Sequence, residues 1–277
     1  MDKPLFGKIT IVGVGLLGGS IGMAAKKRRL CREVCGYFRN QKKIAAAKRH
    51  GAIDTGTDNF AEAVAGSDLV ILCSPVEDIK TKIKELKRLG ITKTLITDVG
   101  STKAEIIRAA KGLNFVGSHP LAGSEQSGVA YGRPDLFKDS VCIVTPDLAP
   151  HASVRAVCNF WKILGSRVIT LTAKRHDAAL AFTSHLPHAV AFALACVMPD
   201  HCGLLTAGGL KDTTRIALSH PDVWSDIFLS NRTNVLKSLN AFERSLKRLK
   251  SAIATENRKV LKKFLAYGRN KRQQILS

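Results

Sequence analysis

Gly13-Val14-Gly15-Leu16-Leu17-Gly18 follows the apolar run Ile9-Thr10-Ile11-Val12 and opens a stretch of helical periodicity. In that setting a G-x-G-x-x-G spacing has a mechanism. The first glycine turns the chain, the second lets the backbone approach a pyrophosphate, the third lets helix pack closely on strand, and the N–H groups of the first helical turn face the anion. Gly13, Gly15, Leu16, Leu17 and Gly18 are therefore expected to hold a dinucleotide. About 20 residues further on, an NAD-binding unit ends its next strand with Asp or Glu, which holds the ribose 2′-OH. Here the chain reads Gly36-Tyr37-Phe38-Arg39-Asn40, followed by Lys42 and Lys43. The acid is missing, and Arg39 stands one residue beyond its place, where a guanidinium could form charge-assisted hydrogen bonds to a 2′-phosphate. NADP is the cofactor expected on that reading; an Arg39 that is merely a surface residue would leave NAD in use.

In open parallel sheets, ligands bind outside the carboxyl ends of the strands. Cys73-Ser74-Pro75-Val76 stands at such an end, which makes Ser74 and Pro75 expected cofactor contacts, and so does Asp98-Val99-Gly100-Ser101-Thr102-Lys103. Ser101 could cap a helix, hydrogen-bond a ligand, or do both. His185 and His188, with His201 and Cys202, invite a metal reading. Against it, His185 and His188 flank Pro187 at an expected helix start, and no carboxylate ligand is suggested close to these two. No metal is expected.

The elements that must position these residues fall into two halves. Short apolar runs at 8–13, 34–38, 69–73, 94–98, 115–117, 141–145 and 167–171 read as strands, with helices expected at 17–29, 41–50, 59–65, 76–89 and 102–110. That alternation predicts an α/β, doubly wound, Rossmann-like N-terminal domain over 1–172. Beyond it the strand signals end, and periodic stretches at 173–183, 187–198, 210–219, 221–249 and 251–267 predict an all-helical C-terminal domain over 173–277. Pro187 and Pro221 suit first helical turns, where a missing N–H costs nothing. The basic tail at 269–272 is expected to fray.

With 277 residues, 45% of them hydrophobic, the chain can bury a sizeable core, which excludes a disordered protein. Its 43 Lys and Arg against 22 Asp and Glu give a net charge of +21. The basic residues are spread along the chain and aromatics make up 6%, without a stacking motif, so no nucleic-acid partner is expected; the charge reads as a solvated surface that steers anions. Glycines at 13, 15, 18, 19 and 22 break the apolar run at 9–25, and the run at 189–198 is shorter than the roughly 20 residues a bilayer needs, so no membrane span is expected. Cys31, Cys35, Cys73, Cys142, Cys158, Cys196 and Cys202 are odd in number and scattered, as free thiols of a cytoplasmic protein are.

Gly117-Ser118-His119-Pro120-Leu121-Ala122-Gly123-Ser124-Glu125-Gln126-Ser127-Gly128 resembles the signature loop of prephenate dehydrogenases. The segment 98–103, then Ser184-His185-Leu186-Pro187-His188, then Gly208-Gly209-Leu210-Lys211-Asp212-Thr213-Thr214-Arg215-Ile216-Ala217, then Pro221-Asp222-Val223-Trp224-Ser225-Asp226-Ile227 are similar to the same family in the same order. The resemblance, to the prephenate and arogenate dehydrogenase family, runs from the first strand to about residue 249. It implies oxidative decarboxylation of prephenate, arogenate or both, to 4-hydroxyphenylpyruvate or tyrosine, with hydride transfer to the nicotinamide cofactor, in tyrosine biosynthesis.

The resemblance also implies roles. His119 accepts the hydrogen bond of the substrate's 4-hydroxyl and acts as base, a part an imidazole plays only while neutral; its ordinary pKa of about 6.5 suits that. Ser101 orients His119 or the same hydroxyl. Arg215 grips a substrate carboxylate with a planar two-point contact, and Asp212, one turn earlier, either holds that guanidinium or makes an ordinary surface pair. His188, Ser124, Glu125 and Gly208 border the substrate, and His185 is structural. His119 and Arg215 should meet across a cleft beside the nicotinamide. Glu125, an anion near the substrate side chain, would favour the ammonium of arogenate. The resemblance implies no metal and a homodimer formed through the helical domain, for which the apolar stretch 189–198 is suited. Because the chain ends at Ser277, no regulatory domain is expected after the helices. Rival readings are another two-domain β-hydroxyacid or imino-acid dehydrogenase, from which the His119-Pro120 loop paired with Arg215 separates this chain, or a non-catalytic NADP-binding protein, which would not need His119, Ser101 and Arg215 together.

Overall fold

The computed structural model describes residues 4–123 and 126–276, with the backbone alone at Cys202, Leu204 and Leu276. It divides into two compact units, Met1–Asn231 and Arg232–Ser277. In the first, the apolar runs form β1 (Phe6–Val12), β2 (Cys31–Tyr37), β3 (Thr55–Thr57), β4 (Leu69–Leu72), β5 (Leu95–Asp98), β6 (Phe115–Pro120), β7 (Val141–Thr145) and β8 (Arg167–Thr170). They are connected through α1 (Leu16–Lys27), α2 (Lys42–Arg49), α3 (Phe60–Val64), α4 (Val76–Arg88), α5 (Ala104–Ala110) and α6 (His151–Ile163). The strands make one sheet in the order β3-β2-β1-β4-β5-β6-β7-β8, parallel except where β7 runs against β6. Strand order reverses between β1 and β4, the place where a doubly wound sheet opens a crevice at its carboxyl edge.

Both faces of the sheet are covered, and the period of two decides which side chain faces which helix. In β4, Leu69 and Ile71 join the core beneath α1 and α6, with Ile21, Phe160 and Trp161; Val70 and Leu72 join the opposite core beneath α4 and α5, with Ile79, Ile83 and Ile106. All four β4 side chains are buried, and truncating such a residue to alanine costs about 2–5 kcal/mol. Neither β3, three residues long, nor α6 was expected from the sequence, although Val154, Val157, Phe160 and Trp161 of α6 follow helical spacing. β6 also runs past the expected Gly117, so His119 stands on a strand, opposite Ile143 of β7, and not in a turn.

The rest of the first unit is helical. α7 (Ala173–Leu180), a π-helical turn at Ala181–His185 and α8 (Leu186–Cys196) form one run of 24 residues. Pro187, which lacks an N–H, stands just past the π turn in the first turn of α8 and does not break the run. This corrects the sequence-based length argument: the run is long and apolar enough, by length and composition, to cross a bilayer. Its His176, Asp177 and His185, however, are buried within the unit. A 3₁₀ segment, α9 (Gly208–Thr214), a 3₁₀ turn at Arg215–Leu218 and α10 (Pro221–Ser230) complete it.

The second unit consists of α11 (Arg232–Ala254) and α12 (Arg258–Leu276), packed on each other. Glu256 takes a left-handed turn between them, and the Asn257 side chain accepts the Val260 N–H at the head of α12. The periodic stretch expected at 221–249 is thus two helices, interrupted at Asn231, and the tail expected to fray is helical through Leu276.

Candidate active site

A cleft of about 870 Å³ opens at the carboxyl edge of the sheet. Turns after β1, β4 and β5 bring Gly15, Leu16 and Leu17, Ser74 and Pro75, and Ser101 to its wall; His119 reaches it from β6, and His188 and Arg215 from the helical part. Gly13 and Gly18 stand behind this wall and shape it. Gly13 has φ +93°, and a Cβ on Gly18 would fall 2.2 Å from the Gly13 carbonyl oxygen. Gly15 is different: a Cβ there would meet no protein atom within 4 Å, so its bareness leaves room in the cleft and is not required by packing. Ser74 Oγ is buried without a hydrogen-bond partner among the described residues. An open cradle and an unsatisfied hydroxyl beside a helix N-terminus fit a dinucleotide.

Arg39 is exposed beyond β2, pairs with Asp78 in the first turn of α4, and does not line the cleft. Gly208 and Asp212 are exposed on α9 and do not line it either. Ser124 and Glu125 lie outside the described residues. His119, Ser101, His188 and Arg215 are brought to one cavity.

Behind His119 lies a chain of buried polar groups. His119 Nδ1 is 2.9 Å from His176 Nε2, and His176 Nδ1 is 2.8 Å from Asp177 Oδ1. The Asp177 carboxylate accepts the backbone N–H groups of Lys103 (2.8 Å) and Ala104 (2.9 Å), and so caps α5 from another element. The sequence had offered Ser101 as that cap. Instead Ser101 is half-buried in the cleft wall, because α5 starts three residues later than Ser101. Lys103 Nζ pairs with Asp98, both fully buried, and donates to the Ser118 carbonyl (2.9 Å). Asp98 accepts the N–H groups of Gly100 and Ser118. A buried pair is tolerable when its remaining valences are satisfied in this way.

These surroundings set the charges. Burial first, then the neighbouring His176, Lys103 and His185, hold His119 well below the ordinary 6.5 expected from sequence, so it is neutral at physiological pH. Burial also lowers His176, against the opposing pull of Asp177. For Asp177 burial opposes ionisation, but the hydrogen bonds from His176 and from the Ala104 and Lys103 N–H groups outweigh it and keep the carboxyl below its usual range. His188 donates Nδ1–H to the Ser184 carbonyl (3.0 Å) and stacks on Trp224 at 3.6 Å, with the rings 20° apart. His185 is buried away from the cleft and accepts a hydrogen bond from Asn231; burial pushes it down to about 4. Among the described residues no group of three His, Cys, Asp or Glu side chains is placed to hold a metal ion.

Sequence reasoning missed His176 and Asp177 and assigned no role to Trp224. A signal existed for the first two. Ala173, His176, Asp177 and Leu180 share one face of α7, all buried, and two adjacent polar groups on an apolar stripe require partners.

Family models for the nucleotide-binding domain and the dimerization domain of prephenate dehydrogenase match residues 21–170 and 172–267. The prephenate dehydrogenase of Bacillus subtilis is 32% identical over 280 residues, covering 96% of this chain and 76% of that one. The cyclohexadienyl dehydrogenase of Zymomonas mobilis is 33% identical over 265 residues, covering 91% and 90%. The crystal structure of Aquifex aeolicus prephenate dehydrogenase with hydroxyphenyl propionate and NAD+ matches with a TM-score of 0.90 at 34% identity, over 99% of each chain.

Proposed function

The chain belongs to the prephenate dehydrogenase family, and from that premise we propose that it oxidatively decarboxylates prephenate, arogenate or both, yielding 4-hydroxyphenylpyruvate or tyrosine in tyrosine biosynthesis. The observation that carries this reading is the convergence of His119, Arg215 and the glycine turn on one cleft. A nicotinamide dinucleotide, held by Gly13, Gly15, Leu16, Leu17, Gly18, Ser74 and Pro75, supplies the hydride acceptor. His119, neutral and bordering the cleft, takes the proton of the substrate's 4-hydroxyl as that oxygen becomes a carbonyl. Loss of the ring carboxylate as carbon dioxide then makes the ring aromatic, the bonding pair passing through the ring to the 4-oxygen, which takes its proton back from His119. Arg215 binds a carboxylate through two parallel N–H donors, Ser101 orients His119 or the hydroxyl, and His188 borders the ring. Asp212 holds the Arg215 guanidinium and Gly208 borders the substrate through its backbone, although neither lines the cleft wall.

The working division is a dinucleotide domain over 1–172 and a helical substrate and dimerisation domain over 173–277, in a cytoplasmic homodimer without nucleic-acid or membrane partners. NADP is preferred, supported by the missing acid after β2 and by Arg39, whose present partner Asp78 must then yield to a 2′-phosphate. Arogenate is favoured through the anionic Glu125, and Ser124 borders the substrate with it. The test is a spectrophotometric assay of the purified protein with each substrate and each cofactor. Turnover of prephenate or arogenate is expected, with reduction of NADP faster than that of NAD; no turnover of either substrate rejects the activity. The kcat/KM ratio of arogenate to prephenate should fall in Glu125→Gln, and an unchanged ratio removes the arogenate preference.

A further inference from the structure

Resting on the reading of His119 as the base, we propose that Asp177 and His176 are positioning residues that fix the His119 tautomer, with the proton on Nδ1 and the lone pair on Nε2 at the cleft. The direction of every hydrogen bond in the chain follows from its far end. An ionised carboxylate only accepts, and Asp177 already receives the Lys103 and Ala104 N–H groups. His176 Nδ1, 2.8 Å from Asp177 Oδ1, must therefore donate. A neutral imidazole protonated on Nδ1 offers its lone pair at Nε2. That lone pair faces His119 Nδ1 at 2.9 Å, so His119 brings the proton to this contact. The lone pair of His119 is left on Nε2, the edge of the ring turned away from the fully buried His176.

The same arrangement supports the charged state. When the substrate O–H bond breaks and the Nε2–H bond of His119 forms, one proton moves and the imidazolium keeps its Nδ1–H bond to His176. Around His119 stand His176 from α7, Lys103 ahead of α5 and His185 from the π turn; around His176 stand Asp177, Lys103 and Asp98. Lys103 is neutralised by Asp98, so Asp177 is the anion that offsets the charge arriving on His119.

The test reads the tautomer directly, without turnover. In the full-length protein labelled with ¹⁵N-histidine, long-range ¹H–¹⁵N spectra at neutral pH should show His119 protonated on Nδ1 and bare on Nε2. In Asp177→Asn an amide nitrogen that donates to His176 Nδ1 takes the place of the Oδ1 that accepts the Lys103 N–H; with that bond given up, the bonds along the histidines reverse and the His119 proton moves to Nε2, and kcat should fall by on the order of 10²–10⁴ with substrate KM unchanged. Because Asp177 also caps α5, a second pair of variants leaves it in place. His176→Gln supplies an acceptor to His119 and should keep the tautomer and kcat within about tenfold, whereas His176→Leu supplies none and should lose both. A wild-type proton on Nε2, an unmoved tautomer in Asp177→Asn, or equal kcat in the Gln and Leu variants overturns the positioning role. A reversed tautomer with kcat unchanged upholds the positioning role and overturns instead the assignment of His119 as base.

Discussion

The two ends of the cleft are made in opposite ways. At the glycine turn the wall is bare backbone and apolar side chain, with Gly13, Gly15 and Gly18 chosen for what they lack. At the histidine end only His119 reaches the wall, backed by a chain of titratable groups, His176, Asp177, Lys103 and Asp98, drawn from strand, turn and helix and shut away from water. The first end recognises by shape and by fixed N–H dipoles, so it is insensitive to pH and intolerant of added atoms. The second works by proton placement in a dry setting, where each group's state depends on the others.

Breaking the histidine end should have the largest effect. His119→Asn is expected to lower kcat by on the order of 10²–10⁴ with KM little changed, while Arg215→Ala should mainly raise the substrate KM, by roughly 10–100-fold for a lost charged hydrogen bond. Steady-state kinetics of both variants check this, and an unchanged wild-type turnover in both rejects the assigned roles.

Acid should separate the two ends next. His119, His176 and His185 are all held below the ordinary histidine value, so the unfolded chain binds more protons than the folded one as pH drops below 6.5. Their contribution is intact above that pH and is lost as pH falls toward the folded values. For His185, lowered from 6.5 to about 4, the loss reaches roughly 3 kcal/mol by pH 4. Asp177, also lowered, adds to the loss in still stronger acid as it protonates. Tm measured from pH 7.5 down to 4.5 should decline steeply below 6.5, and His185→Gln should flatten the slope; a flat wild-type profile contradicts it.

Adding atoms at the other end should cost less and show no pH signature. Gly18→Ala sets a Cβ against the Gly13 carbonyl, a backbone atom that cannot swing aside, and should destabilise the turn by about 1–3 kcal/mol. Calorimetry should register a lower Tm and weaker cofactor binding, with the pH profile of kcat as in the wild type. The smallest effect belongs to the exposed pair beyond β2. Arg39→Asp should shift preference toward NAD and Asp78→Asn toward NADP, each by a few-fold, in line with about 0.2–1 kcal/mol for exposed charges. Unchanged selectivity in both variants removes Arg39 from cofactor choice.

Legibility in the sequence follows the same division. The glycine turn was readable because strand, turn and helix start are adjacent along the chain, and the strands of the sheet because each apolar run carries its own burial pattern. The histidine end was readable in its named members, His119 and Arg215, through family-like motifs, but not in the bonds that govern them. His176 and Asp177 lie 57 and 58 positions beyond His119, and spacing along a chain says nothing of a contact across that distance. β3 is too short to carry a period. The break at Asn231 follows from tertiary contacts, since its side chain donates to the Asp177 carbonyl and to His185, not from any breaker in a stretch that reads as helix.

Local order thus settles a doubly wound sheet, a helical remainder and a dinucleotide turn, because hydrophobic period and glycine spacing act over a few neighbouring residues. Folding in three dimensions settles which nitrogen of His119 carries the proton, that Asp177 rather than Ser101 caps α5, and that Arg39 answers to Asp78. Each of these depends on a hydrogen bond or ion pair between residues distant along the chain, whose energy exists only once water has been excluded or the two elements have been brought side by side.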